Sequence, residues 1–202
     1  MEPCEAELRQ FVRSARERGW KIEIDLGCAK GPFLVGLASV EKETAFIGIE
    51  SQAHRVLSAT KKIARLQLDN ALVLQGECLT AVKDWFDPAT VDLIHVSFPD
   101  PWPKRRHHNR RLVNPVFLEA VFRTLKPGGS LRLMTDDQPY FRVMEAAVQT
   151  FGLYQPLPWD DGREYPKTEF QAHFEAQGLP SYRLALLKPV DAPAGLSALA
   201  SS

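Results

Sequence analysis

Little in this chain points to a membrane, an oxidising compartment or a metal. None of its 202 residues falls in an apolar run near the roughly 20 needed to span a bilayer. The opening Met1-Glu-Pro-Cys-Glu lacks the basic start and apolar stretch of a secretory leader, so a cytoplasmic location is expected. The cysteines are Cys4, Cys28 and Cys78, an odd count without ligand-like spacing. That disfavours a disulfide framework and a zinc site. His107 and His108 have no partners at tetrahedral spacing, so no metal is expected. Excess charge of one sign is also lacking: 25 basic residues balance 25 acidic ones. A protein that coats a polyanion is thereby disfavoured.

What is present is a regular alternation. Lys21–Leu26, Thr44–Ile49, Ala71–Gln75, Val91–Val96, Ser130–Met134 and Tyr182–Leu187 read as short apolar strands. Between them lie helical stretches at Pro32–Val40, Ala53–Gln67, Leu79–Phe86, Pro115–Leu125 and Tyr140–Phe151. Pro127-Gly128-Gly129 reads as a helix stop. Strands alternating with helices imply parallel βαβ units covered on both faces. The expected fold is α/β: a doubly wound, mostly parallel, Rossmann-like sheet. One domain is expected over residues 1–188, with an amphipathic helix in residues 1–21 spaced by Leu8, Phe11, Val12 and Ala15. Residues 189–202 are small and Pro-containing, and are expected to be a disordered tail. The sequence leaves the oligomeric state open between monomer and homodimer.

In such sheets ligands bind beyond the carboxyl ends of the strands. The first strand ends in Asp25-Leu-Gly27-Cys28-Ala29-Lys30-Gly31, whose glycines let a ligand lie against the backbone. The spacing is not that of a dinucleotide fingerprint, and Ala29 stands where a second glycine would be expected. Asp25 can receive an ammonium. Glu50 ends the second strand about 20 residues on, the usual place for a carboxylate that accepts a ribose diol. Glu77 and Cys78 follow the third strand and could meet an adenine amino group. Three successive strand ends with an acid describe an adenosyl ligand. An ordinary strand–helix turn and surface acids are the alternative for each residue taken singly.

The fourth strand leads into Phe98-Pro-Asp100-Pro-Trp102-Pro-Lys104-Arg105-Arg106-His-His-Asn-Arg110-Arg111. Two prolines fix the backbone on both sides of Asp100. Trp102 could stack on a base or plug the loop. The five cations lie within eight residues, and without them the remaining charges sum to −5. The positive field is therefore local. A local patch suits an enzyme that docks a polyanion at one place.

These segments, with Phe46-Ile-Gly-Ile-Glu50, Thr135-Asp136 and Thr168-Glu169-Phe170-Gln171, resemble in order and spacing the bacterial tRNA (guanine-N7)-methyltransferase family. The resemblance covers roughly Ile22 to Leu187. It implies the class I S-adenosylmethionine-dependent methyltransferase fold, S-adenosylmethionine as cofactor, and tRNA as partner, methylated at guanine 46 of the variable loop. It implies that Asp25, Gly27, Gly31, Glu50, Glu77, Cys78 and Asp100 bind the methyl donor and that Asp100 is the catalytic acid. Lys104, Asp136, Thr168, Glu169, Phe170 and Gln171 correspond to substrate contacts. Gln171 departs from the family's usual Glu, and Ala29 from a glycine. Arg105, Arg106, Arg110 and Arg111 are expected to bind RNA phosphates, which position the RNA without choosing the base.

Guanine N7 carries a lone pair and no proton at neutral pH, so no strong base is required. Asp100 is expected to orient the base and stabilise the purine cation. Three other readings remain: an amino-group methyltransferase acting on adenine, a non-catalytic RNA-binding module on the same fold, and a small-molecule methyltransferase, which the basic cluster disfavours.

Overall fold

The computed structural model describes residues 3–191, so the expected tail lies outside the described residues from residue 192 onward. Seven strands form one sheet in the order β3-β2-β1-β4-β5-β7-β6. They are β1 (Lys21–Leu26), β2 (Thr44–Glu50), β3 (Ala71–Gln75), β4 (Val91–Ser97), β5 (Leu125–Thr135), β6 (Gln155–Leu157) and β7 (Tyr182–Leu187). Strands β1 to β5 pair in parallel, while β7 runs antiparallel to both β5 and β6. The sheet is thus mostly parallel with an antiparallel edge, as doubly wound sheets allow.

The helices are α1 (Pro3–Glu17), α2 (Pro32–Val40), α3 (Ala53–Arg65), α4 (Cys78–Thr80), α5 (Pro115–Thr124), α6 (Gln138–Phe151) and α7 (Glu169–Ala176). A π-turn at Ala81–Trp85 continues α4, and a 3-10 turn spans Arg105–Arg110. Helices start where residue chemistry favours it. Asn114 and Asp137 cap α5 and α6 with side-chain oxygens that accept from Phe117 and Tyr140, and a proline follows each cap. Two apolar cores result. Ile22, Ile24, Ile47, Ile94 and Leu131 pack on one face against α1, α5 and α6, and Phe46 and Val73 pack on the other against α2 and α3.

The largest difference from the predicted strand boundaries is in β5. Strand β5 begins at Leu125, five residues before the predicted start, and runs through Pro127-Gly128-Gly129 with a register shift opposite Val91/Leu93. Those glycines are a bulge within a strand, not the end of an element. Strand β6 and helix α7 had no counterpart in the predicted elements.

Candidate active site

The turn after β1 is built around Glu50. Each oxygen of this carboxylate accepts one backbone N–H, from Ala29 at 3.0 Å and from Gln52 at 2.9 Å. Glu50 is only 4% exposed and so rigidly held; the Ser51 hydroxyl makes a longer contact to Oε1 at 3.4 Å, and a carboxylate with about four lone-pair sites still has room for a ligand hydroxyl, with a second able to replace Ser51. The turn is left-handed at Gly27, Ala29 and Gly31, with φ of 78°, 50° and 72°. At Ala29 that conformation is strained, and the hydrogen bond to Glu50 holds it there. A side chain on Gly27 would point into open space, so a ligand can approach the backbone there. Gly31 does something else. It starts α2, and a Cβ there would come within 3.0 Å of Ala59, so its bareness serves the packing of α2 on α3.

Asp25 is 6% exposed. Burial, together with the neighbouring Glu50 carboxylate, pushes its carboxyl up to about 7. Such a group takes a proton or a ligand cation readily. The thiols have the opposite character. Burial pushes Cys78 up to about 12 and Cys28 higher still, so neither is a thiolate nucleophile at neutral pH.

A cleft of about 510 Å³ lies over these strand ends. Gly27, Glu50, Glu77 and Cys78 form one wall, and Asp100, Arg110, Arg111 and Phe170 form another. Asp25 and Thr168 both line a small adjoining recess, which Gly27 and Phe170 share with the cleft. The structure therefore brings together residues from the three strand ends, the Pro-Asp-Pro loop and α7. These residues fit an adenosyl sulfonium ligand: a buried acid for an ammonium, a fixed carboxylate for a diol, and an open backbone at Gly27.

The loop carrying Asp100 is held by its surroundings. Phe98 and Trp102 flank it with positive φ of 54° and 43°, uncommon for aromatic residues. The Phe98 N–H donates to the Met134 carbonyl at 2.7 Å, and the Arg111 Nε–H donates to the Pro101 carbonyl at 2.7 Å. Asp100 itself is exposed at the cleft wall. The Arg110 guanidinium lies 5.0 Å over the Trp102 ring, and His107 meets that ring edge-on. Trp102 is thereby packed within its own loop, and it is half-buried and also lines the cleft, so both roles expected for it stay open.

The basic run divides. Lys104, Arg105, Arg106 and Arg110 are exposed. Arg111 differs from the expected phosphate contact: it is only 8% exposed, bonded to Pro101 and set 5.0 Å over the Tyr140 ring. Its guanidinium fastens the loop to the start of α6. Lys104 lies outside the cleft wall, where its carbonyl accepts from His107 in the 3-10 turn. Asp136 follows the carboxyl end of β5 and is half-buried. Thr168 caps α7, its Oγ1 accepting from the Gln171 N–H at 3.0 Å. Gln171 lines a second cavity, beside His95, Arg132 and Trp159. The side chain of Glu169 lies outside the described residues.

A charged layer was not foreseen. Glu23, His95 and Arg132 are buried in β1, β4 and β5 and meet Arg163, Asp161, Trp159 and Tyr165 of the segment before α7. Burial alone would raise the Glu23 carboxyl, but His95 and Arg163 outweigh it and hold it below the usual range. Burial keeps His95 neutral despite Glu23, so its contact with that carboxylate at 3.2 Å is a hydrogen bond from Nε2–H. The detectable signal was three polar residues at inward positions of otherwise apolar strands.

Comparison with known proteins agrees with this geometry. A family model described as "Putative methyltransferase" matches residues 20–184. The chain is similar to the tRNA (guanine-N(7)-)-methyltransferase of Limosilactobacillus fermentum, 31% identical over 197 residues, which cover 95% of this chain and 90% of that protein. It is also similar to the protein of that name from Listeria monocytogenes serovar 1/2a, 33% identical over 168 residues, covering 81% and 78%. Among solved structures, the aminoglycoside resistance methyltransferase NpmB1 superposes with a TM-score of 0.58 at 22% identity, over 91% of this chain and 93% of that one. An S-adenosylmethionine-dependent methyltransferase from Aquifex aeolicus gives 0.56 at 18%, over 93% and 94%. These two likenesses concern the fold.

Proposed function

The chain belongs to the tRNA (guanine-N7)-methyltransferase family, and from that premise we propose that it methylates N7 of guanine 46 in the variable loop of tRNA, using S-adenosylmethionine. The observation that carries this reading is the single cleft shared by Gly27, Glu50 and Glu77 on one side and Asp100 and Arg110 on the other. A donor site and an RNA-docking loop meet there.

Asp25, Glu50, Glu77 and the open backbone at Gly27 would hold the donor's ammonium, ribose and adenine. When bound, S-adenosylmethionine supplies an electrophilic sulfonium methyl. The chain's own work is alignment. Asp100, stiffened by two prolines and the Arg111 bond to Pro101, orients the guanine so that N7 points at the methyl. As N7 loses its lone pair the purine becomes cationic, and the carboxylates of Asp100 and Asp136 stabilise that charge. No proton has to be abstracted at N7. Lys104 contacts the target nucleotide, and Phe170 and Thr168 close the site from α7. Arg105, Arg106 and Arg110 hold phosphates and give affinity without sequence information.

The test is methyl transfer from labelled donor to an unmodified tRNA transcript and to the same RNA with 7-deazaguanine at position 46. Transfer to the first and none to the second is expected. Equal labelling of both would favour amino-group chemistry, and labelling of neither, with no donor binding by calorimetry, would favour a non-catalytic RNA-binding module.

A further inference from the structure

The buried charged layer has no part in the chemistry just described, yet it lies beneath the segment that ends at the site. Arg163 donates to Glu23 of β1 at 2.8 Å and to Glu41 at the end of α2 at 2.6 Å. Arg132 of β5 donates to Asp161 at 2.9 Å and to the Trp159 carbonyl at 2.7 Å, and its guanidinium lies between the rings of Trp159 and Tyr165 at 4.0 and 4.4 Å. Pro166 is seated on Gly36 of α2, where an added Cβ would come within 2.7 Å of it. Three elements therefore grip one irregular segment. Two residues beyond Pro166 is Thr168, which caps α7 and lines the same recess as Asp25. Glu23 precedes Asp25 by two residues and points to the same face of β1, so the grip is referred to the strand that carries the donor-site acid.

Buried ion pairs add little stability over apolar packing, but only one arrangement satisfies them. Arg163 Nη2 is buried without a hydrogen-bond partner among the described residues, and the guanidinium lies 4.8 Å over the Tyr165 ring of the same segment. We infer that Glu23 and Arg163 are positioning residues of methyl transfer: their ion pair, with the Pro166–Gly36 seat, sets where Thr168 and Phe170 stand over the cleft. This inference rests on the tRNA-methylation reading above. The arginines proposed to bind phosphates lie on a different loop, so the clamp acts on the reaction step more than on overall RNA affinity.

The experiment uses the full chain with tRNA and labelled donor. It compares wild type with Arg163→Gln, Arg163→Lys and Gly36→Ala, and measures kcat, KM for tRNA, donor affinity by calorimetry, melting temperature, and hydrogen exchange of peptides spanning residues 163–171. Arg163→Gln is expected to lower kcat at least tenfold with KM and donor affinity within twofold, and Arg163→Lys to recover most of the loss. Gly36→Ala changes no member of the ion pairs but must push Pro166 aside; the better helix former in α2 offsets part of the cost of that clash, so kcat is expected to fall about threefold with a smaller loss of melting temperature than in Arg163→Gln. If Arg163→Gln does not fold, Gly36→Ala decides. Wild-type kcat in the folded variants overturns the inference, as does a loss that merely follows donor affinity or melting temperature. Should wild type leave guanine N7 unmethylated, the function reading fails by itself. Hydrogen exchange then judges the clamp: faster exchange across 163–171 in the variants supports it, and unchanged exchange overturns it.

Discussion

The Nε–H of Arg111 donates to the carbonyl of Pro101 at 2.7 Å, so a cation from a run of cations fastens the loop that carries Asp100. Five neighbouring positive residues thus split into two kinds: one buried and structural, the others exposed and able to meet a polyanion.

The split predicts two mutant classes. Arg105→Ala, Arg106→Ala and Arg110→Ala should each weaken tRNA binding, raise KM, and reduce the slope of log affinity against log salt by about 1 or less, with unchanged melting temperature. Arg111→Ala should instead lower stability by about 2 kcal/mol, because it removes a buried charged hydrogen bond. It should also lower kcat through a loosened loop, and leave the salt slope nearly as in wild type. Filter binding across a salt series, with thermal melts, separates the two.

Asp25 gives a pH dependence of definite sign. Its carboxyl is held up at about 7, so the ligand-free protein is protonated there below pH 7. A ligand ammonium prefers the ionised form, and binding below pH 7 must release that proton. Donor affinity should therefore rise as pH increases from 5 to 7, by at most tenfold per unit, and level off above. Asp25→Asn should bind more weakly at pH 8 and show no such slope. Calorimetry in buffers of different ionisation enthalpy reads the proton release directly.

Ala29 sits at φ 50° in a turn held by Glu50. Glycine suffers no Cβ clash in that conformation, so Ala29→Gly should stabilise the protein by about 1 kcal/mol and keep the methyl-transfer rate. Urea unfolding of the ligand-free protein measures it.

Asp100→Asn keeps the shape of the loop and removes the charge. Turnover should fall on the order of 100-fold, as for loss of one group that stabilises transition-state charge, while donor affinity stays within about threefold. Loss of donor affinity with normal turnover at saturation would assign Asp100 to the donor alone.

Much of the sheet was legible because β2 and β3 are short, nearly continuous apolar runs, as strands buried on both faces must be, while β1 alternates Ile22, Ile24 and Leu26 with charged residues. Glu50 and Glu77 were legible because each follows an apolar strand, and Asp25 because it stands just before a glycine turn. Strand β6 was not legible: Gln155-Pro-Leu157 is exposed and has no inward set of side chains to give it a period. Helix α7 could have been found. Thr168 and Gln171 have the spacing of a capping box, and that spacing was read as substrate contact alone. The cap on Gln171 explains at least part of why Thr168 stands there. The roles of Gly31 and Arg111 depend on Ala59 and Pro101, partners distant in the chain or across a turn, and no local pattern encodes such contacts. The clamp on Arg163 is of the same kind: Glu23 lies 140 residues away.

The proposed reaction is methylation of one ring nitrogen in one loop of tRNA. Its most direct measurement is borohydride–aniline cleavage of a tRNA transcript after incubation with the protein and S-adenosylmethionine, read at nucleotide resolution. A single new cut is expected at position 46, one that needs both donor and protein and disappears with Asp100→Asn at matched times. Incorporation of methyl groups without that cut, or a cut elsewhere in the tRNA, would contradict it.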